Sequence, residues 1–223
     1  MFFGVNFLYF ALYVVRNTTV IYYFTYNLQK ENWIAFVGLF GILSGLPMLL
    51  LLPSLQKKMG KKKVMYVSLA LYIIGDIVIY MGRSHMSCLL GGLLLTGLGI
   101  YGIFGTTFAM QPDVIDYSEY SKKRSISGMI AALQGFFVKA SMGIASAVIG
   151  LFLEMGGYIP NVKQSQSALN AIEVSFIWIP AVLCLLIAVM MIFYNLDSVR
   201  TDMSMELDRR RAIIYRERKT DAI

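Results

Sequence analysis

Three ionisable side chains lie inside long apolar runs, where a charge is expensive. They are Arg16, Asp76 and Lys139. A charge at mid-bilayer costs from about 3 to more than 10 kcal/mol, so such residues are functional candidates by default. We expect Asp76 to pair with either Arg16 or Lys139. For Lys139, the alternative is ordinary helix packing with its ammonium bound to a carbonyl or carboxylate.

A second set of charges forms a short block after the fourth apolar run. Asp113, Asp116 and Glu119 are three residues apart, so one helical face can carry all three carboxylates. Lys122, Lys123 and Arg124 follow at once. This charged turn is predicted to act as a cytoplasmic gate whose ion pairs form and break. The alternative is a static, solvated cluster that contributes little stability.

Aromatic residues crowd the end of the first apolar run. Tyrosines at such a position commonly form the belt at a membrane interface.

The sequence holds no constellation for catalysis, a metal or a nucleotide. Its one histidine has no partner pattern, and its two cysteines lie far apart. The run from Gly97 to Gly102 matches G-x-G-x-x-G, but it lies inside an apolar span and not between a strand and a helix. We therefore expect no enzyme and no cofactor, and we interpret these glycines as close helix packing.

The elements that must position these residues are membrane spans. The chain is 57% hydrophobic and 15% charged, well below the roughly 25% charged residues of soluble domains. Six apolar runs, at about 3–27, 33–52, 64–82, 88–110, 126–153 and 171–194, predict an all-α membrane protein of six transmembrane helices over 1–195. The basic tail, 196–223, is predicted to be a solvated helix or one that lies on anionic lipid.

The basic residues predict the orientation of the bundle. Most of the 20 lysines and arginines fall in three places: 57–63, 122–124 and the tail. By the positive-inside rule these face the cytoplasm, so both termini are expected inside a plasma membrane. This pattern explains the net charge of +7 without a nucleic-acid partner.

One face of the fifth run consists of small residues around Lys139. At helical spacing these are Gly128, Ala132, Gly135, Gly143, Ser146 and Gly150. Small residues let a second helix approach closely. The face is therefore predicted to pack against another helix.

The block DVIDYSEY (113–120), Arg124, and the helix with Gln134 and Lys139 resemble the glycoside–pentoside–hexuronide:cation symporters of the major facilitator superfamily. The loop GGYIPNVKQS at 156–165 is similar to theirs, and the likeness runs over about 6–197. The resemblance implies the carboxyl-terminal six-helix bundle of a twelve-helix carrier, working by alternating access. It further implies a sugar substrate, with Tyr22 and Tyr23 as candidate contacts, Na⁺ or H⁺ as the coupling ion, and a cation site bordered by Lys139 and Gln134.

Two functions stay open at this point. The chain is expected to be half of a symporter that needs an amino-terminal half or a second copy, since the first run starts next to Met1 and the relatives' cation carboxylates lie mainly in the other half. The alternative is a standalone six-helix scaffold or regulatory protein, or a non-functional remnant. An upstream six-span segment with intramembrane aspartates would favour the first.

Overall fold

The computed structural model describes residues 1–82, 85–122 and 127–194, and within these the chain is helical and has no strand. Helix α1 spans Phe2–Tyr22 and continues as a π-helix over Tyr23–Asn27; a short 3₁₀ turn, Glu31–Trp33, leads into α2, Ile34–Met59. Helices α3, α4 and α5 span Lys61–Met81, Met86–Lys122 and Ser127–Met155. The last span joins α6, Gln166–Glu173, a π-helix at Val174–Trp178, and α7, Ile179–Ile192.

The all-α bundle predicted from the apolar runs is confirmed. Within the described ranges, five helices are long and apolar enough to cross a membrane: α2, α3, α4, α5 and the composite span Gln166–Ile192. Helix α1 has 21 residues, enough to cross the roughly 30 Å hydrocarbon core. Three of its polar residues, Asn6, Arg16 and Thr19, are buried inside the bundle.

The second and third apolar runs, at about 33–52 and 64–82, predict helices that are shorter at this connection than those in the structure. Helix α2 continues through both Pro47 and Pro53 to Met59, and α3 begins at Lys61. Gly60 alone makes the connection, with φ of 80° and ψ of 159°. That backbone conformation is open to glycine and strained for other residues. The predicted second span ends at about residue 52 because hydropathy falls there, whereas the helical hydrogen bonds continue to Met59.

The predicted charged turn after the fourth span is also a helix in the structure. Helix α4 passes Pro112 and carries Asp113, Asp116 and Glu119 before it ends at Lys122. Arg124, Lys123 and the tail from 196 onward lie outside the described residues.

The core forms where α3 packs along α4 and α1 packs on α5 and α7. Glycines set the closest approach. A β-carbon at Gly99 would lie 2.6 Å from the backbone nitrogen of Tyr72 in α3, and one at Gly97 would overlap the Ser44 hydroxyl of α2. The interpretation of the G-x-G-x-x-G run as helix packing is confirmed, because these positions have no room for a side chain.

Candidate functional site

A buried ion pair joins α1 to α3 in the middle of the bundle. Arg16 donates from Nη1 to Asp76 Oδ1 at 2.7 Å. The exposed fractions of the two residues are 8% and 1%. Two opposite charges withdrawn from solvent need each other, since a lone buried charge is costly. The structure therefore gives Asp76 the first of the two partners that the sequence left open.

Two further elements complete the surroundings of the guanidinium. Arg16 donates to the backbone carbonyl of Phe176 at 3.1 Å and to the Thr96 hydroxyl at 3.4 Å. The Phe176 ring lies 4.0 Å from the guanidinium carbon, within cation–π range. The second Asp76 oxygen is buried and has no hydrogen-bond partner within the described ranges. Arg16 thus connects α1, α3, α4 and the π-helical stretch of the last span.

Arg16 also lines a cavity of about 390 Å³ between α1, α2 and α4. This size falls within the range of about 300–1,000 Å³ that small-ligand sites occupy. The polar wall is formed by the guanidinium with Asn17 and Thr96, and the backbone of α2 comes close at Gly38 and Gly41. Asn17 is exposed, so this wall of the cavity reaches the outer surface of the bundle.

Aromatic rings form the other wall of the cavity. Tyr9, Tyr13 and Tyr101 line it, and a neighbouring pocket of about 240 Å³ shares these three and adds Phe10 and Phe104. Rings beside a cluster of hydrogen-bonding groups suit a ligand that has both apolar C–H faces and hydroxyl edges.

The sequence contained a signal for this cavity that the prediction missed. Tyr9, Tyr13 and Arg16 are spaced at i, i+4 and i+7, which places them on one face of α1. The tyrosines stand within an apolar run and look there like ordinary span residues.

The predicted sugar contacts, Tyr22 and Tyr23, lie elsewhere. Tyr23 is fully buried and stacks on Phe176 with ring centroids 4.4 Å apart. Tyr22 packs edge-on against Tyr158. Neither of them lines the cavity, and their contact with a sugar stays a prediction.

Lys139 has the opposite surroundings to Arg16. It is exposed on α5, and within the described part of the chain it forms no hydrogen bond or ion pair. Gln134 lies on the buried side of the same helix. The structure therefore does not bring the two predicted cation-site residues together on one face, and their joint role stays a prediction.

The small residues around Lys139 are exposed as well. A β-carbon added at Gly128, Gly135, Gly143 or Gly150 would meet nothing within 4 Å among the described atoms. Ala132 and Ser146 are exposed too. We call the surface formed by these six residues and Lys139 the open face of α5.

The candidate gate residues divide between two settings. Asp113 is buried and paired with Lys61 at 2.5 Å, and Tyr194 donates to the same carboxylate oxygen at 3.1 Å. Asp116 and Glu119, further along α4, are half-buried. The fourth member, Arg124, lies beyond the described ranges. Asp113 therefore links α4 to Lys61 of α3 and to Tyr194 at the end of the last span. Lys61 was not predicted because its sequence context matches that of the neighbouring lysines.

Comparison with known proteins gives a consistent set of matches. The family model described as MFS/sugar transport protein matches residues 1–198. An isoprimeverose transporter of Lactiplantibacillus pentosus is 30% identical over 93% of this chain and 44% of its own length. An uncharacterised symporter of Bacillus subtilis is 35% identical over the same shares. A putative sulfoquinovose importer of Escherichia coli is 29% identical over 85% of this chain and 41% of its own length. The chain thus spans less than half of these relatives.

Proposed function

Because the chain belongs to the MFS/sugar transport protein family, we propose that it acts as the carboxyl-terminal half of a secondary-active sugar symporter coupled to Na⁺ or H⁺. The sugar binds between this bundle and a second six-helix half, and the two rock around it in alternating access. The cavity beside Arg16 supplies this chain's wall of the sugar site. The family and the relatives are transporters, and nothing in them indicates an enzyme.

The observation that carries the proposal is the open face of α5. Lys139 stands there without a partner in the described part of the chain, among residues too small to cover it. An ammonium facing lipid at mid-depth is costly, whereas one facing a second bundle with an intramembrane carboxylate is compensated. Small residues around it allow the close backbone approach that such docking needs. Lys139 would then adjust the affinity for the coupling cation by charge competition.

The gate and the orientation belong to the same proposal. Both termini face the cytoplasm of a plasma membrane, because the basic residues at 57–63 lie at one end of the bundle. The end of α4 that carries Asp113, Asp116 and Glu119 then lies at the cytoplasmic gate, with Lys61 holding Asp113. A reporter protein fused at the carboxyl terminus, active only in the cytoplasm, checks this orientation.

Uptake tests the proposal directly. Cells express the chain alone or together with an amino-terminal half from a related carrier, and take up labelled isoprimeverose with and without Na⁺ and at two external pH values. We expect cation-dependent uptake only with the second half, and its loss in Lys139→Ala. Membrane insertion of each variant is checked by surface labelling.

Two outcomes contradict the proposal. Cation-dependent uptake by the chain alone means that two copies build a carrier. Insertion without uptake in either sample, with chemical cross-links between copies through the open face of α5, indicates a self-associating scaffold.

A further inference from the structure

The cavity wall contains a cation, Arg16, whose charge is neutralised by a carboxylate that lies behind the wall. Among the described residues that line the cavity, Arg16 is the only charged one. Its counter-ion, Asp76, contacts the guanidinium at 2.7 Å but does not line the cavity. Seen from the cavity, the pair has hydrogen-bond donors but no net charge.

The burial of Asp76 makes it unfavourable for a ligand to separate Arg16 from its carboxylate. Asp76 is 1% exposed, and the described residues offer its second oxygen no other donor. An anionic ligand that drew the guanidinium away would leave a buried carboxylate unpartnered, which is strongly unfavourable. A hydroxyl oxygen can instead accept a hydrogen bond from Arg16 without weakening the pair.

The remaining groups of the cavity suit the same ligand. Asn17 and Thr96 are uncharged and able to donate or accept. Tyr13 and Tyr101 offer rings against which the C–H face of a pyranose packs. A carboxylate or sulfonate on that ligand would find no uncompensated cation in the described lining.

We propose that the Arg16–Asp76 pair makes the cavity selective for uncharged polyhydroxy ligands, so that neutral glycosides bind and the corresponding uronides are rejected. Asp76 acts as a specificity-determining residue through Arg16, and it does not touch the ligand. This inference rests on the proposed sugar site and deepens it by assigning the charge class of the substrate.

Matched probes test the selectivity. The full chain in lipid nanodiscs is titrated with tritiated methyl β-D-glucopyranoside and methyl β-D-glucuronide, which differ by one carboxylate, and binding is measured by scintillation proximity. We expect the neutral probe to bind at least about tenfold more tightly, since an uncompensated charge at an interface costs more than a factor of ten in affinity.

Two variants change the charge of the cavity in the same direction by different routes. Asp76→Asn leaves the guanidinium without its counter-ion and is expected to turn the preference toward the glucuronide. Asn17→Lys adds a cation on the exposed wall without touching the pair, and so carries the test even if Asp76→Asn fails to fold. Lys163→Gln, a charge change in an exposed loop away from the cavity, is the control and is expected to leave the ratio unchanged.

Three results would overturn the inference: no saturable binding of the neutral probe, equal or tighter binding of the glucuronide by the unmodified chain, or an unchanged ratio in Asn17→Lys. The assay measures binding to the wall of the site that this bundle contributes, and it does not depend on transport. Correct selectivity without uptake therefore contradicts only the proposed function, and uptake with the wrong selectivity contradicts only this inference.

Discussion

Arg16 and Lys139 are both cations in the middle of membrane helices, yet the bundle treats them differently. Arg16 is buried, paired with Asp76 at 2.7 Å and bound to a carbonyl. Lys139 is exposed on α5 with no partner in the part of the chain that the structure describes. The charge of Arg16 is neutralised inside the bundle, whereas that of Lys139 is not neutralised by any described residue.

The glycines show the same contrast. Gly97, Gly99 and Gly102 of α4 face neighbouring helices so closely that a β-carbon would overlap them. Gly135 and Gly143 of α5 have free space. Small residues alone thus do not tell whether a helix face is already covered. The exposed cation beside the open face of α5 is the second observation on which the proposed docking rests.

The largest loss of stability is expected when the buried ion pair loses its carboxylate. Asp76→Ala leaves the guanidinium of Arg16 buried and unpaired, and should lower the free energy of unfolding by about 3–5 kcal/mol. Thermal unfolding in detergent measures this. Replacing both residues, Arg16→Met with Asp76→Leu, should recover most of the loss. A small effect of Asp76→Ala alone would contradict the contrast between the two cations.

The glycine contrast gives the next largest effect. Gly99→Leu forces a side chain against the Tyr72 backbone and should cost about 1–3 kcal/mol or prevent folding. Its matched control, Gly135→Leu, places the same side chain in open space and should stay within about 0.5 kcal/mol of the parent. Fluorescence-detected size exclusion during heating compares them. Equal losses would show that the α5 face is covered within the bundle itself.

A smaller effect is expected at the Asp113 cluster. Tyr194→Phe removes the hydroxyl that donates to Asp113 at 3.1 Å, and should cost about 1 kcal/mol because Lys61 still holds the carboxylate. Thermal unfolding against Tyr117→Phe, an exposed tyrosine of α4, provides the comparison. If both variants unfold at the same temperature, the hydrogen bond from Tyr194 to Asp113 does not contribute to the stability of the bundle.

The smallest effect on stability is expected at the second cation. Lys139→Ala should change the free energy of unfolding of the chain by less than about 0.5 kcal/mol, because no described contact is lost. Its consequence should appear only in association, measured as reduced co-purification with an amino-terminal half. A large loss of stability in the chain alone would reveal an internal partner.

The sequence predicted the fold well because transmembrane runs and intramembrane charges are strong signals. Arg16 and Asp76 stood out as functional candidates by position alone. Residues whose role depends on three-dimensional neighbours did not: Tyr9 and Tyr13 resemble ordinary span residues, and Lys61 differs from the adjacent lysines only by its place directly after Gly60. Helix ends at Met59 and Lys122 were missed because charge ends an apolar run without ending a helix.

The π-helical stretch Val174–Trp178 constrains how the length of this chain can change during evolution. Its hydrogen bonds close one residue wider than those of an α-helix. The stretch therefore holds one extra residue, and deleting a single residue there would restore α-helical bonding with little rotation of the helix beyond it. Deleting a residue near the start of α7 would instead turn the residues that follow by about 100°, and Ile187 and Met191, both buried in the core, would turn away from it. We expect single-residue deletions to be better tolerated in this stretch than in the first half of α7.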